Sequence, residues 1–506
     1  MPDERVLEDA FHARRRGNHR DALERFLTVF QRDPSNPFVL IEAAHCEGFQ
    51  LAFPAMRMLM AEAADRAEGD ALVFQMIGDA WLAHHFPEEA LAAYDQGRAL
   101  DPEDPELLAH QLAALERANR LPEAQTILDG LPSAVRQLPA LLPIRITITR
   151  RQGRFAQAAE WAGRVLAQPK LSPFVQAQME LELARAMDGA QQPDEAWRHL
   201  LRAKAILATH PEGEFERRLF PKHLSFLARI ESALSRDHVE TWNRQAAALP
   251  RRRIAFLLGH PRSGTTVMER LLDAHPDIAA ASEYPVFERC MVELFTPHPG
   301  VEPDFLAEPS PGFDAGSVRR RYWDLMEGAL AQPIGTRLLL DKNPALTDGL
   351  HGILRFFPEA RFLVMLRDPR DVLLSCLFQD FGWTRLGVAC HSLAGAVAAW
   401  EATMRHWVCL RALLPPAQWL EVRYEEFVAH PEDAMPGIFT FLGCARSATP
   451  ASEALEAETF IRTPTYHQLG TKVRTNAVGR WRAYAAHFAP FRERLAPLME
   501  QLGYAW

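Results

Sequence analysis

The 506-residue sequence predicts two fold classes in one chain, an all-α array of helix pairs followed by an α/β domain with a mainly parallel sheet. Three observations support this prediction: alanine recurs at a regular spacing in the first half, apolar runs precede polar turns in the second half, and the composition is ordinary. Apolar residues make up 48% of the chain and charged residues 24%, values typical of globular proteins and too apolar for a disordered chain. We therefore predict a helical repeat domain at residues 1–211, a helical linker at 212–250 and an α/β domain at 251–506.

Alanine recurs through the first half with spacings of 33, 35, 34, 34 and 38 residues. The recurring positions are Ala22, Ala55, Ala90, Ala124, Ala158 and Ala196. Small residues are needed where paired helices approach closely, and proline, here Pro34 and Pro102, is favoured where a helix must stop. The pattern resembles the tetratricopeptide repeat, whose units are about 34 residues long. A non-repeating helical bundle is the alternative. A stacked array presents an extended concave face, so we expect it to bind a protein or peptide or to mediate self-association.

The linker at residues 212–250 loses this period but keeps a helical character. The segment from Pro221 to Leu234 predicts an amphipathic helix that begins at the proline, with Leu224, Leu227 and Leu234 on its apolar face. The run AAALP at residues 246–250, followed by three arginines, predicts the domain boundary.

The formal net charge of −9 is spread unevenly along the chain. Residues 1–250 contain 29 basic and 36 acidic residues, whereas residues 251–506 contain 27 and 29. This balance argues against a general nucleic-acid-binding protein. The nearly neutral second half can still hold a local cationic site for an anionic ligand.

The six cysteines form no CxxC pair and show no zinc-like spacing. We therefore expect no metal site and a reducing compartment, the cytoplasm. The first residues resemble no signal peptide, and no uninterrupted apolar run approaches the ~20 residues that span a bilayer. These patterns predict a protein without a membrane segment.

A glycine-rich turn at residues 259–264 lies between an apolar run, Ile254–Leu258, and a segment with helical spacing. Strand, turn and helix in this order are the context of a phosphate-binding loop, in which backbone N–H groups and the helix N-terminus face the anion. Gly259 and Gly264 keep the spacing of the Walker A motif, but Thr265 stands in place of its lysine. The missing lysine disfavours an ATPase or kinase, and no magnesium requirement follows.

The run PRSGTT at residues 261–266 resembles the 5′-phosphosulfate loop of sulfotransferases that use 3′-phosphoadenosine 5′-phosphosulfate (PAPS). A second apolar run ends at Leu366, and Arg367 and Ser375 follow it at the spacing of that family's 3′-phosphate motif. An arginine fork and a serine hydroxyl can hold one phosphate together, although a local ion pair between Arg367 and Asp368 is the alternative. The resemblance implies nucleotide binding by Arg262, Ser263, Gly264, Thr265, Thr266, Arg367, Ser375, Tyr424 and Arg480, with weaker candidates at Lys472 and Arg474.

The same resemblance implies the catalytic residues. Glu283 lies where tyrosylprotein sulfotransferases and their tetratricopeptide-fused bacterial relatives place a catalytic glutamate, which acts as the general base. Lys342, in the run DKNP, matches the lysine that stabilises the leaving group. Thr465 falls where the family usually has a serine that helps to hold the transition state, so the hydroxyl is kept but the residue differs. His275 and His260 stay open as rival bases, because many small-molecule sulfotransferases use a histidine.

This resemblance covers residues 251–506 and implies a P-loop-like three-layer α/β/α domain. It implies a PAPS-dependent enzyme that transfers the sulfuryl group to a hydroxyl or amine of a protein, peptide or small molecule. Adenosine 3′,5′-bisphosphate (PAP) would be the spent nucleotide, and a protein tyrosine is the acceptor that the family suggests, with the repeats recruiting it. Two other functions stay open: a repeat scaffold whose second domain binds a nucleotide without turnover, and a P-loop nucleotide kinase.

Overall fold

The computed structural model describes residues 2–294, 306, 314–445, 450 and 477–506. Residues 2–246, all of which are described, fold into α-helices joined by short turns. The bounds are α1 Pro2–Arg15, α2 His19–Arg32, α3 Pro37–Phe49, α4 Phe53–Asp65, α5 Ala71–Ala83, α6 Pro87–Leu100, α7 Pro105–Arg117, α8 Leu121–Gly130, α9 Ser133–Arg136, α10 Leu142–Arg151, α11 Phe155–Leu166, α12 Pro173–Gly189, α13 Pro193–Thr209, α14 Glu214–Ala233 and α15 Arg236–Ala246. Single 3₁₀ turns lie at Pro139–Leu141 and Pro211–Gly213.

The recurring alanines occupy equivalent positions in the helical region. Each is the third or fourth residue of its helix, in α2, α4, α6, α8, α11 and α13. All are fully buried except Ala55, which is half-buried. In α5, a Cβ at Gly78 would approach the Tyr94 ring of α6 closer than 3.0 Å, a distance that real Cβ contacts essentially never show. The predicted repeat of closely packed helices is therefore confirmed.

Helix α14 corrects one prediction. The helix begins at Glu214, seven residues before the predicted start, and Pro221 lies inside it. A 3₁₀ turn leads directly into the helix, and Glu214 and Glu216 in its first turn favour the positive end of the helix dipole. These signals outweigh the preference of proline for the first turn.

The second half is built on a five-stranded sheet in which every pairing is parallel. The strands are β1 Ile254–Gly259, β2 Ile278–Ser282, β3 Leu338–Lys342, β4 Arg361–Leu366 and β5 Trp419–Arg423, in the order β2-β3-β1-β4-β5. Because the strands are parallel, their carboxyl ends share one edge, which we call the carboxyl edge. The predicted α/β fold with a mainly parallel sheet is confirmed.

Side chains pack on both faces of this sheet. Side chains of β1 alternate between them: Ala255 and Leu257 join the core formed with the helices after β1 and β5, whereas the Phe256 ring packs on Phe357 and Phe362. The α-helices described after β1 in the chain are α16 Thr265–Asp273, α17 Val286–Leu294, α18 Ala315–Leu330, α19 Leu350–Phe356, α20 Pro369–Leu377, α21 Arg385–Ala389, α22 Leu393–Arg411, α23 Tyr424–Ala429, α24 Pro431–Leu442, α25 Ala485–Phe488 and α26 Arg492–Gln501. Nowhere in the described ranges does a helix combine the length and the apolar character that crossing a bilayer requires.

The described residues divide into two compact units. The first contains residues 2–154, helix α17 and the part of α18 from Tyr322 onward. The second contains the sheet, its remaining helices and residues 155–284, so that helices α11–α15 belong to the unit of the sheet. The boundaries at residues 211 and 250 stay a prediction.

Candidate functional site

The turn after β1 is anchored at its first residue. Gly259 has a φ of +133°, and both of its backbone groups bind the hydroxyl of Thr347. The N–H of Gly259 donates to Thr347 Oγ1 at 3.0 Å, and that hydroxyl donates to the carbonyl of Gly259 at 2.9 Å. Thr347 is fully buried, so it fixes the point at which the chain leaves the sheet.

The turn ends at Gly264, which begins helix α16. Its φ is +101°, and no side chain caps the helix there. A Cβ at Gly264 would approach the ring of Tyr424 closer than 3.0 Å, so the glycine lets Tyr424 lie directly against the turn. Glycine has no side chain with which to cap the helix, and a helix that begins at a glycine-rich turn is a common element of anion-binding loops.

Arg262 joins the turn to the second predicted phosphate motif. Its backbone has a φ of +76°, its Nε donates to Ser375 Oγ at 2.9 Å, and its carbonyl accepts from Arg367 Nη1 at 2.9 Å. Burial lowers the pKa of Arg262 to about 10, which leaves the guanidinium charged at neutral pH. Residues predicted from two separate motifs therefore meet at one cation.

Arg367 directly follows β4 and is buried. Its guanidinium carbon Cζ lies over the ring of Tyr424, 4.7 Å from the ring centroid. Nη2 donates to the carbonyl of Ala477 at 2.6 Å, but the buried Nε has no hydrogen-bond partner among the described residues. The alternative pairing with Asp368 is not formed, because the Asp368 carboxylate binds Arg370 at 2.7 and 2.9 Å. Arg367 thus keeps a buried donor available for an added acceptor.

Two of the three predicted catalytic residues, Glu283 and Lys342, are in direct contact at the carboxyl edge. Lys342 is the last residue of β3 and Glu283 directly follows β2; Lys342 Nζ lies 2.9 Å from Glu283 Oε1. The N–H of Glu283 also donates to the carbonyl of Lys342 at 2.7 Å. The Lys342 side chain is fully buried, whereas that of Glu283 is 31% exposed. Glu283 has a φ of +52°, a left-handed conformation that non-glycine residues rarely adopt outside functional sites and tight turns.

A second carboxylate, which the sequence did not lead us to expect, completes this cluster. Glu269 of α16 places Oε2 3.0 Å from Lys342 Nζ and accepts a 3.2 Å hydrogen bond from Ser282 Oγ. Burial raises the pKa of Glu269. Burial alone would lower the pKa of Lys342, but Glu269 and Glu283 outweigh it, so that pKa lies above its ordinary value. The available signal was an acidic residue on the apolar side of a short amphipathic helix.

Neither histidine that was considered as an alternative base is placed to act as one: His275 lies away from the carboxyl edge, and His260 is buried. His275 precedes the amino end of β2, where its Nε2 donates to the carbonyl of Ala445 at 3.0 Å and its Nδ1 accepts from the N–H of Asp277 at 3.1 Å. That end of the sheet is opposite the carboxyl edge, so His275 is a structural residue. His260 is buried with Nδ1 on the carbonyl of Pro261 at 2.9 Å, and burial lowers its pKa.

Arg480 is near the phosphate motifs but already has a carboxylate partner. Its Nη2 lies 2.8 Å from Asp188 Oδ2 of helix α12, and its guanidinium lies over the Phe378 ring. Asp188 Oδ1 also accepts from the hydroxyl of Tyr484 at 2.7 Å. The positive charge of Arg480 contributes to the lowered pKa of Arg262, after the larger effect of burial. The other candidates of this segment, Thr465, Lys472 and Arg474, lie outside the described residues.

Neither a metal centre nor a disulfide was found in the described part of the chain. Across those residues, no group of three or more histidine, cysteine, aspartate or glutamate side chains is arranged to hold a metal ion. All six cysteines are described, and none of them forms a disulfide. The expectation of a metal-free protein stays a prediction.

Residues 255–448 match the model of a family described as the sulfotransferase family. Protein-tyrosine sulfotransferase 2 of Gallus gallus is 26% identical over 285 residues, covering 53% of this chain and 72% of that protein. Protein-tyrosine sulfotransferase 1 of Danio rerio is 29% identical over 197 residues, covering 37% of this chain but only about half, 52%, of that protein. The solved sulfotransferase domain of the Synechococcus PCC 7002 olefin synthase is 18% identical with a TM-score of 0.32, covering 46% of this chain and 88% of that one. The predicted resemblance of residues 251–506 to sulfotransferases is confirmed by the family model and the two relatives.

Proposed function

We propose that the chain is an enzyme that transfers a sulfuryl group from PAPS to a hydroxyl or amine acceptor. The match of residues 255–448 to the sulfotransferase family model supports this proposal. The observation that carries this proposal is the 2.9 Å contact between Lys342 Nζ and Glu283 Oε1 at the carboxyl edge. Sulfuryl transfer needs a base for the acceptor proton and a cation for the departing oxygen. Glu283 would be the base and Lys342 the cation, and both lie at the same edge of the sheet as the glycine-rich turn.

The residues at this edge fit a nucleotide with phosphates at both ends. The uncapped start of α16 and Arg262 would hold the 5′-phosphosulfate, because they combine N–H donors with a buried positive charge. Arg367 and Ser375 would hold the 3′-phosphate: Arg367 has an unpartnered Nε, and the Ser375 hydroxyl, which accepts from Arg262, keeps its own proton to donate. Tyr424 lies between these groups, where it would contact the base or ribose.

The transfer step follows from the placement of the two catalytic residues. Glu283 removes the proton of the acceptor hydroxyl or amine as its oxygen or nitrogen forms a bond to sulfur. The bond between sulfur and the bridging phosphate oxygen breaks, and its electron pair stays on the phosphate, which leaves as PAP. Lys342 neutralises that oxygen; its ammonium is effective because it is fully buried, and the raised pKa keeps it charged at neutral pH.

We propose a tyrosine of a protein or peptide as the acceptor, because both relatives are named for protein-tyrosine sulfation. The helical repeats would recruit this acceptor, since stacked helix pairs present a concave surface for extended partners. We propose the cytoplasm, a reducing compartment, as its location, because the six described cysteines form no disulfide.

The test is incubation with sulfur-labelled PAPS and a peptide library or lysate, followed by identification of the labelled product. We expect Glu283→Gln to bind PAP with unchanged affinity while transfer falls by about 100-fold or more, the usual contribution of a general base. Glu426→Gln is the matched control, because that carboxylate is 74% exposed, and it keeps wild-type transfer.

The alternatives give different outcomes in the same assay. A wild-type protein that binds PAP but labels no acceptor would support the scaffold function. Turnover of ATP that depends on magnesium would support the kinase. Equal transfer by the wild type and Glu283→Gln would refute the assignment of the base.

A further inference from the structure

Glu269 forms a buried contact with Lys342 that has no role of its own in the proposed transfer step. The Lys342 ammonium lies between two carboxylates, 2.9 Å from Glu283 and 3.0 Å from Glu269. The two acids differ in access to solvent: the side chain of Glu283 is 31% exposed, whereas that of Glu269 is 9% exposed. Glu283 can therefore exchange a proton with an acceptor, whereas the Glu269 carboxylate is buried against Lys342 and has little access to solvent.

We propose that Glu269 is a positioning residue that holds the Lys342 ammonium at the carboxyl edge while Glu283 is protonated. This inference rests on the proposed function. When Glu283 takes the acceptor proton it loses its charge, so the charge pair with Lys342 becomes a neutral hydrogen bond. A buried ammonium without a charged partner is unfavourable and would be drawn away or lose its proton. Glu269 keeps one charge pair throughout, so Lys342 stays charged and in place when the phosphate oxygen departs.

The position of Glu269 on helix α16 links this lysine to the anion-binding turn. Glu269 follows Thr265, the first residue of the helix, by four positions, so both side chains lie on the same face, one turn apart. The helix therefore sets the distance between the N-terminus that faces the donor and the carboxylate that holds Lys342. Ser282 Oγ donates to Glu269 and fixes its carboxylate from the strand that leads into Glu283.

A hydrogen-bonded ring of four residues results. Ser282 binds Glu269, Glu269 binds Lys342, Lys342 binds Glu283, and Glu283 follows Ser282 in the chain. The N–H of Glu283 also binds the carbonyl of Lys342. The side chains of Lys342 and Glu269 are buried, and the Lys342 ammonium is bound by a carboxylate on each side, so its movement is restricted.

The first test separates a charged positioning residue from a packing residue. We expect Glu269→Gln, which keeps the shape but removes the charge, to lower kcat about tenfold or more, with the KM for PAPS within about twofold of the wild type. The alkaline limb of kcat/KM should move to lower pH, because the variant loses one of the carboxylates that raise the pKa of Lys342. Glu269→Asp should recover part of kcat and return the alkaline limb toward its wild-type position.

The matched control is Glu180→Gln. Glu180 is a buried carboxylate of helix α12 bonded to His199 at 2.6 Å, and its replacement should leave kcat and the pH profile unchanged. A Glu269→Gln enzyme with wild-type kcat and an unmoved alkaline limb would overturn the proposal.

The second test needs no activity. The chain has five lysines, so ¹³C labelling of the lysine side chains gives a simple spectrum in which the Lys342 signal is assigned by its loss in Lys342→Arg. We expect Lys342 to lose its proton at lower pH in Glu269→Gln than in the wild type, while the exposed Lys222 is unchanged. Identical titration of Lys342 in both proteins would overturn the proposal. If this shift is found but the wild type transfers sulfate to no acceptor, the proposed function fails and the contact between Glu269 and the lysine stands.

Discussion

Gly264→Ala probes the turn that begins helix α16 through two separate costs. The residue has a φ of +101°, a conformation that is unfavourable once a Cβ is present. The new Cβ would also approach the Tyr424 ring closer than 3.0 Å. Because the ring is buried and the Arg367 guanidinium lies over it, it has little room to move away.

The alanine would lower the stability of the folded chain in two ways, through the backbone and through packing. The left-handed backbone costs about 1–2 kcal/mol for a residue with a Cβ. Overpacking against a rigid ring costs about 1–3 kcal/mol. Gly264→Ala should therefore lower the free energy of unfolding by about 2–5 kcal/mol. Gly335→Ala is the matched control in the same compact unit, since Gly335 has a φ of +62° with nothing within 4 Å of an added Cβ, and it should show the backbone cost alone.

The assay is urea unfolding of the full chain, followed by circular dichroism and tryptophan fluorescence. In a Tyr424→Ala background, the cost of Gly264→Ala should fall to that of Gly335→Ala, because only the backbone cost remains. Binding of PAP, measured by calorimetry, should weaken in Gly264→Ala and stay unchanged in Gly335→Ala. The reasoning is refuted if the two alanine variants cost the same, or if removal of the Tyr424 ring recovers nothing.

Three further replacements test the repeats, the buried cluster and the rejected base. Gly78→Ala should destabilise the helical region by about 1–3 kcal/mol in urea unfolding, because its Cβ meets the Tyr94 ring; unchanged stability would contradict the close packing. Lys342→Met should cost about 3–5 kcal/mol, because it leaves the buried Glu269 carboxylate without a positively charged partner. Since burial raises the pKa of Glu269, its protonation relieves this cost in acid, so the loss should be larger at pH 8 than at pH 5, and a loss independent of pH would contradict it. His275→Asn should lower stability by about 1 kcal/mol while labelled-sulfate transfer stays within about twofold of the wild type; an inactive variant that folds normally would restore the histidine as a candidate base.

Features that repeat, or that depend on neighbours in the chain, were predictable from the sequence. The alanine period predicted the helix pairs, because each unit needs a small residue where its helices pack closely, as at Ala22 and Ala90. The strand, turn and helix around Gly259 and Gly264 were predictable because a positive φ at both ends of the turn requires glycine. The pair of Glu283 and Lys342 was predicted through family resemblance, and the parallel register of β2 and β3 accounts for their contact.

Features set by distant parts of the chain were not predictable. Glu269 lies in an apolar helical pattern, and only the arrival of Lys342 from another strand explains an acid there. Asp188 lies 292 positions before Arg480, so no local sequence pattern predicts their ion pair. The left-handed backbone of Arg262 and Glu283 is likewise imposed by surrounding contacts, because neither residue type favours it.

Calorimetric titration of the wild type with PAP and with adenosine 5′-monophosphate tests most directly whether the carboxyl edge is a PAPS site. Arg367 and Ser375 should bind the 3′-phosphate, and a hydrogen bond to a charged group contributes about 1.5–3 kcal/mol. We therefore expect PAP to bind at least about tenfold more tightly than the monophosphate, without magnesium. Equal affinities, or tighter binding of magnesium ATP than of PAP, would contradict the account.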